Sequence, residues 1–406
     1  MINIVIFNGG RGASTLIPEL LNREDIKLSS IVNAYDDGKS TGEIRNFFEM
    51  LGPSDIRKAQ QLMISKDSID CDSLHYVYDL RFPKSLSNQA IFKILEQEAS
   101  KTSSLFFGVK FNDSSCLKQL RLYLKIFIKN YKLISKSIPA KKLTFKDCSL
   151  MNCLYAGAFL HFDRNIEHAS LSFEKIFNLG GAVIPTSIEN KKLVGLRTNG
   201  EVLFSEAEIV ELRSNVSIER VYLFESYPPK GSFKGITFAE KKYFFEKHHS
   251  YVEASPRAQR AIEDADIIIY SPGTQHSSLY PTYLSDGIPA SIANNKRALK
   301  VFITNIGADY ETPFYKAHDY IEGAFKYLNL GNSTKCELKD YFSTMLVNKT
   351  PQSKSDNYVK IYKSALDKLR IKKIIKNFEE SNTGKHDGKK VIEAIFQEYS
   401  LHLKNL

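Results

Sequence analysis

One short stretch near the start does most to limit what this chain can fold into. Ile2–Phe7 is an apolar run that stops at Asn8-Gly9-Gly10-Arg11-Gly12. A short apolar run bounded by turn residues reads as a fully buried strand, with no face left for water. A helical pattern follows at once, with Leu16, Ile17, Leu20 and Leu21 on one side, and Leu28–Asn33 is a second short strand. The order strand-loop-helix-strand predicts an α/β fold: a Rossmann-like, doubly wound, mostly parallel sheet. The opening run is too short for the h-region of a secretion signal and lacks a basic flank. No apolar run elsewhere is long enough to span a bilayer.

The 406 residues allow one large domain with insertions, or two domains. The expected organisation is a sheet domain over residues 1–330, interrupted by a helical insertion at about 70–147. A helical C-terminal extension is expected over 331–406. Helices are also expected over Glu43–Met50, Asp55–Ile64 and Leu150–His161. Short strands are expected at Ala182–Ile188, Leu193–Arg197, Val202–Phe204 and Arg220–Phe224, with Asn199-Gly200 as a hairpin signal. Asp266–Tyr270 and Ala298–Thr304 are two more buried strands.

Cys71, Cys116, Cys148, Cys153 and Cys336 match neither a zinc site nor a disulfide framework, so a cytoplasmic protein with free thiols is expected. The formal charge of +10 raises nucleic-acid binding as a class. The lysines are diffuse over 118–146 and 337–376 and mixed with acids, so solvated faces explain them better than a specific nucleic-acid groove. His248-His249 reads as a surface pair.

Four segments carry candidate chemistry. The first is Asn8–Thr15. Glycine lets backbone approach a ligand closely, and a following helix offers free N–H groups to an anion. Gly9, Gly10, Gly12 and Ser14 are candidate phosphate contacts, although Thr15 stands where a dinucleotide fingerprint has its third glycine. The second is Asp36-Asp37-Gly38-Lys39-Ser40-Thr41-Gly42. It mimics the end of a P-loop, but Asn33 occupies the position of the required glycine. An acidic pair at the end of a strand suits Mg²⁺ or a sugar hydroxyl; an Asx turn with a helix cap explains the same residues.

The third segment is Gly52–Arg57. Ser54 and Asp55 can cap the next helix, Asp55 can also share a hard cation with Asp37, and Arg57 is a natural phosphate clamp. The fourth is Ser271-Pro272-Gly273-Thr274-Gln275-His276-Ser277-Ser278, a second strand-turn-helix loop expected on the same sheet edge. Ser271, Gly273 and Thr274 are candidate contacts, and His276 reads as a polar surface residue or an acid–base group.

These segments, in this order, resemble the family of 2-phospho-L-lactate transferase (CofD) and its YvcK relatives, the gluconeogenesis factors, with the YvcK branch nearer. The resemblance rests on Gly9–Ser14, Asp36–Gly42, Pro53–Arg57, Ser149-Leu150-Met151-Asn152 and Pro272–Thr274, and covers about 1–68 and 148–325. Met151 departs from a glycine and His276 from a tyrosine in the YvcK pattern. The resemblance implies a Rossmann-like sheet and a nucleoside-diphosphate or UDP-sugar ligand. It also implies Mg²⁺ held by Asp37 and Asp55 as the metal and catalytic pair, and a ligand-orienting role for Asn152. It leaves two functions open: transfer of a phosphorus-containing group to an acceptor hydroxyl, or non-catalytic sensing of a UDP-sugar. No membrane span is implied, and a homodimer is left open.

Overall fold

The computed structural model describes residues 1–9, 12–349 and 357–405. Along the chain the strands are β1 (Ile2–Asn8), β2 (Ile26–Val32), β3 (Leu105–Phe106), β4 (Val109–Lys110), β5 (Ala182–Pro185) and β6 (Lys192–Arg197). They continue as β7 (Val202–Leu203), β8 (Ile218–Phe224), β9 (Ile267–Tyr270), β10 (Leu299–Ile303), β11 (Thr344–Asn348) and β12 (Lys372–Lys376).

Seven of them form the central sheet in the order β12-β11-β10-β9-β1-β2-β5. Every neighbouring pair in it is parallel. The buried run of β1 therefore has the role its composition demands, with hydrogen-bonded strands on both sides and Ile4 through Asn8 buried. The chain first winds outward from β1 through β2 to β5. It then returns to β9, beside β1, and winds the other way. The crevice between β1 and β9 is thus the switch point, where open α/β sheets place ligands beyond the strand ends.

The insertion is largely helical, with helices Cys71–Asp79, Asn88–Ser100 and Ser114–Ser137 and the small β3–β4 hairpin. Leu150–His161 is a helix buried almost all round, which accounts for its unbroken apolar composition. The segment after 331 departs from the helical extension read from the sequence. It does form the helix Gly388–Leu403, but it also supplies β11 and β12 to the central sheet. The lysines of β12 hid this strand. Lys372, Lys373 and Lys376 sit on an edge strand, where charge blocks pairing with another chain.

A second, smaller core lies apart from the sheet. Antiparallel β7-β6-β8 packs with the helix Phe238–Lys247 around Val194, Leu196, Tyr222, Phe224, Phe233 and Phe245. This unit carries the short helix Glu206–Glu211 and acts as a cap beside the sheet's ligand edge. His249 belongs to its buried side and is no surface residue: its Nδ1 accepts the N–H of Leu223 at 3.1 Å.

Candidate functional site

The loops after β1, β2 and β9, the N-terminal turn of the helix Ser54–Gln61, and the cap helix surround a cavity of about 690 Å³. One wall is acidic. Asp36, Asp55 and Glu206 all line the cavity. Asp36 Oδ1 accepts Gly38 N–H at 2.9 Å, Asp55 Oδ1 pairs with Lys58 at 3.0 Å, and Glu206 Oε2 accepts Asp37 N–H at 3.2 Å. Each of the three keeps a second oxygen with no protein donor among the described residues. Burial holds the carboxyls of Asp55 and Glu206 above their ordinary values, and Asp36 adds to the effect on both.

Beneath this wall lies Arg45, fully buried on the helix Lys39–Phe48. Its guanidinium donates to Tyr35 O at 2.5 Å, Asn190 Oδ1 at 3.0 Å, Lys191 O at 2.8 Å and Met50 O at 3.3 Å. Arg45 therefore ties the loop after β2 to the start of the cap. Burial lowers its pKa, opposed by the charges of Asp37, Asp36 and Glu206.

Cations share this lining. Arg57, Lys58 and Arg81 line both the main cavity and an adjoining recess of about 290 Å³ that also includes Ser14. Arg81 is held by Asp147 at 2.7 Å. Arg57 has no ion pair among the described residues, its Nε lacks a partner, and its Nη1 reaches only Tyr78 O at 3.5 Å. Burial depresses its pKa, and the nearby Arg81 charge depresses it further.

The loop after β9 completes the rim. Glu311, fully buried, accepts His276 N–H at 2.8 Å and Ser277 N–H at 3.0 Å through one oxygen, and the Ser277 hydroxyl at 2.5 Å through the other. This fixes the π-helical turn Gln275–Leu279, from which Ser277 and Ser278 face the cavity. Burial pushes the Glu311 carboxyl up to about 8. His276 is not the surface residue its loop position suggested. It is buried among Tyr280, Tyr315 and Tyr327, and burial lowers its pKa to about 3, so it stays neutral.

The residues singled out from the sequence separate into groups. Gly9, Asp55, Arg57 and Thr274 line the main cavity. Gly12, Ser14 and Gly273 line a second chamber of about 550 Å³ on the far side of the loops. Asn152 is buried and reaches the cavity only through Ser40, to which its Nδ2 donates at 3.3 Å. Ser271 is buried with its hydroxyl unpartnered and lines neither space. Gly10 lies outside the described residues.

Asp37 departs from the expected pairing with Asp55 across the cavity. Its Oδ1 accepts Ala207 N–H at 2.8 Å and its Oδ2 accepts the Tyr227 hydroxyl, so both oxygens latch the cap. One of the acidic pair therefore faces the cavity and the other faces the cap.

Sequence reasoning missed Arg45, Arg81, Glu206 and Glu311. Only Glu206 had a local signal. Ser205 and Glu208 begin a helix, and the Ser205 hydroxyl caps Glu208 N–H at 3.2 Å. Nothing nearby said that this helix would face residues 36–55.

Comparison with known proteins agrees with the fold and with the family resemblance. Relatives include the gluconeogenesis factor of Listeria monocytogenes, 22% identical over 97% of this chain and 94% of that one. The gluconeogenesis factor of Halalkalibacterium halodurans is 23% identical over 81% and 74%. A crystal structure of a Bacillus halodurans protein described as a member of the UPF0052 family shares the fold, with a TM-score of 0.64, 21% identity and coverage of 97% and 99%. The model of 2-phospho-L-lactate transferase CofD matches residues 4–394, and the chain belongs to the CofD family, on its YvcK-like side.

Proposed function

We propose that the crevice binds a nucleoside-diphosphate-linked metabolite and transfers a phosphorus-containing group from it to an acceptor hydroxyl. The observation that carries this reading is the gathering of both charges in one cavity at the switch point. Asp36, Asp55 and Glu206 line the same space as Arg57, Lys58 and Arg81. A diphosphate needs cationic donors, and carboxylate oxygens with free lone pairs suit a hard cation that bridges to phosphate.

The donor set fits Mg²⁺, with Asp36 in place of Asp37 beside Asp55. The three carboxylates are not drawn together in advance. Among the described residues the one group of His, Cys, Asp or Glu with ligand atoms within 4.8 Å of one another is His318, Asp319 and Glu322, elsewhere in the molecule. Ligand phosphates and water would complete the coordination, as is usual for this ion. When bound, Mg²⁺ supplies neutralisation of the charge that develops on the phosphoryl oxygens.

The protein's own part is to hold and orient. Arg57, Lys58 and Arg81 clamp phosphate oxygens, and Thr274 and Ser278 offer hydroxyls along the rim. The acceptor oxygen forms a bond to phosphorus as the bridging P–O bond breaks, the nucleoside monophosphate leaves with the bridging oxygen, and the hydroxyl proton passes to a carboxylate. Glu206, which lines the cavity and keeps one oxygen without a donor among the described residues, is the candidate base.

The relatives' name, gluconeogenesis factor, specifies no transfer reaction. A second reading, a non-catalytic UDP-sugar sensor using the same crevice, therefore stands beside the first. The five cysteines are free thiols and no helix among the described residues is long and apolar enough to cross a membrane, which supports a cytoplasmic setting. Calorimetric titration with UDP-sugars and nucleoside diphosphates, in Mg²⁺ and in EDTA, tests the site. Asp36→Asn and Asp55→Asn should weaken Mg²⁺-dependent binding at least tenfold. Asp37→Asn should lower stability and spare the metal dependence. Identical isotherms for wild type, Asp36→Asn and Asp55→Asn would remove the metal site. Binding without turnover of any acceptor would favour the sensor.

A further inference from the structure

We propose that the insertion carries a docking surface for an anionic phospholipid bilayer, formed by the outer face of the helix Ser114–Ser137. The inference is independent of the reading given to the crevice.

Positive charge is concentrated in this part of the chain. Residues 84–146 hold thirteen Lys and Arg against three acids, a net charge of +10 that equals that of the whole chain. The helix Ser114–Ser137 has 24 residues and no Asp or Glu. Lys118, Lys125, Lys129, Lys132 and Lys136 recur at spacings of three, four and seven residues, which puts them on one face. All five are exposed. The opposite face, with Leu117, Leu120, Leu124, Phe127 and Ile128, is buried, and the helix packs on Leu150–His161. The stripe from Lys118 to Lys136 is about 27 Å long at the usual helical rise.

A solvated helix face is most stable with charges of both signs, because like charges three or four residues apart repel. Lys125, Lys129, Lys132 and Lys136 stand at those separations. Of the five lysines only Lys132 has a carboxylate partner among the described residues, Glu96 at 2.5 Å. An anionic surface outside the protein relieves the repulsion that remains.

Two features favour lipid over nucleic acid. Leu122 and Leu133 border the stripe and are 37% and 52% exposed, and Ile138, just beyond the helix, is 48% exposed. Apolar side chains gain nothing from a sugar-phosphate backbone, whereas beside lysines they enter the boundary between lipid headgroups and acyl chains. The stripe also has no arginine and no aromatic residue, the groups that grip phosphate bidentately and stack on bases. Alongside it, Lys125, Lys129 and Lys132 line a groove of about 400 Å³ between this helix and Asn88–Ser100. Buried Ala99 and Ile128 line the same groove. Ammonium groups next to apolar atoms suit a lipid phosphodiester.

The test is sedimentation of the full chain with vesicles of phosphatidylcholine alone, and of equal parts phosphatidylcholine and phosphatidylglycerol. Wild type should bind only the mixed vesicles and be released by high salt, which screens exposed charges. One lysine near an anionic surface is worth roughly fivefold in affinity. Lys118→Gln, Lys125→Gln, Lys129→Gln and Lys136→Gln combined should therefore weaken binding by about a hundredfold or more. Their removal of like-charge repulsion should leave the melting temperature no lower than that of wild type. The chain has no tryptophan, so Leu133→Trp supplies a single fluorescent reporter that leaves the lysines in place. Its emission should move to the blue with mixed vesicles and stay unchanged with phosphatidylcholine alone. Equal binding of the two vesicle types, equal binding of wild type and the fourfold variant, or an unshifted emission would overturn the proposal. Failure of wild type to bind mixed vesicles would overturn it too, and retention of duplex DNA by the same lysines would then assign the face to nucleic acid.

Discussion

Replacing Gly12 by alanine probes the contact between Gly12 and the Pro-Gly loop at its tightest point. An ideal Cβ on Gly12 would stand 1.7 Å from the carbonyl oxygen of Pro272 and 2.9 Å from the Cα of Gly273. Ordinary contact begins near 3.4 Å, so one loop must withdraw by about 1.7 Å, half the contact distance. Both partners are backbone, so no rotamer change can absorb the clash. Gly273 has little freedom to yield, because its φ of +151° is already a conformation other residues rarely adopt and Asn305 binds both of its polar groups. Overpacking of this kind costs about 1–3 kcal/mol. With unfolding entropy scaling with length, that lowers Tm by only about 1–4 °C for a chain of this size.

Binding should suffer more than folding. A displacement of that size exceeds the spread of hydrogen-bond lengths, so loop amides aimed at a phosphate would miss it. Losing one charge-assisted bond costs about 1.5–3 kcal/mol, a factor of about 10–150 in affinity. The assay is a thermal-shift and calorimetric series with UDP and GDP, in which wild type at 100 Kd should gain about 2.7 kcal/mol. Gly38→Ala is the stability control, since its Cβ would meet nothing closer than 3.5 Å. Wild-type Tm together with wild-type affinity in Gly12→Ala would refute the reasoning.

Arg45→Leu should cost about 3–5 kcal/mol in urea unfolding, because it leaves the buried acceptors at Tyr35, Asn190 and Lys191 unpaired and strips the acidic wall of its counter-charge. Arg45→Lys should recover only part of it, as one ammonium cannot reach the same spread of acceptors. Acid should destabilise the fold between pH 6.5 and about 4. His249 and His386 are each lowered to about 4 by burial, so their stabilisation is complete above the free imidazole value and is lost as the unfolded chain takes up protons. Each contributes about 3 kcal/mol by pH 4 at most. His386→Gln should flatten the fall in urea-derived stability by up to about 1.4 kcal/mol per pH unit across that range.

What could be read from the sequence, and what could not, follows the range of the forces involved. The strand Ile2–Asn8, the helix Leu150–His161 and the Asn199-Gly200 hairpin are set by neighbours along the chain, and periodicity exposes them. Gly200 has the positive φ such a turn needs. The strand Lys372–Lys376 escaped because its solvent-exposed edge position favours lysine, which imitates a wet helix. In the site, the glycine and Pro-Gly loops were legible as turns, and described residues of both line cavities. The distinction between Asp36 and Asp37 was not, because no period governs which way an irregular segment turns its side chains. Glu206, Arg81 and Glu311 reach the crevice from the cap, the insertion and the segment after β10, so only tertiary packing could place them there. His276 shows the same limit, since the tyrosines that bury it lie up to about 50 residues away, at Tyr280, Tyr315 and Tyr327.

The charges of the crevice imply that a cation and a diphosphate should help each other bind. On the acidic side, Asp36, Asp37 and Asp55 all raise the carboxyl of Glu206, after the effect of burial itself. Arg45 offsets part of that repulsion, but its bonds to Tyr35, Asn190 and Lys191 hold it beneath the wall and away from any ligand. On the basic side, Arg57 is depressed first by burial and then by Arg81, and it has no carboxylate partner of its own. A cation alone relieves the first neighbourhood and leaves the second; a diphosphate alone relieves the second but meets the carboxylates that line the same cavity. The pair relieves both at once, so each should raise the affinity of the other by the same factor. A coupling of about 1–3 kcal/mol, or roughly 5–150-fold, is the ordinary scale for such linkage. Titrating UDP into wild type over a range of Mg²⁺ concentrations measures it, after correction for the Mg²⁺–UDP complex formed in solution. Arg57→Ala should weaken UDP binding with and without the cation, whereas Asp55→Asn should reduce the coupling itself. A UDP affinity independent of Mg²⁺ would mean that the acidic wall serves the protein's own architecture, through Arg45 and Lys58, and not a metal-bound ligand.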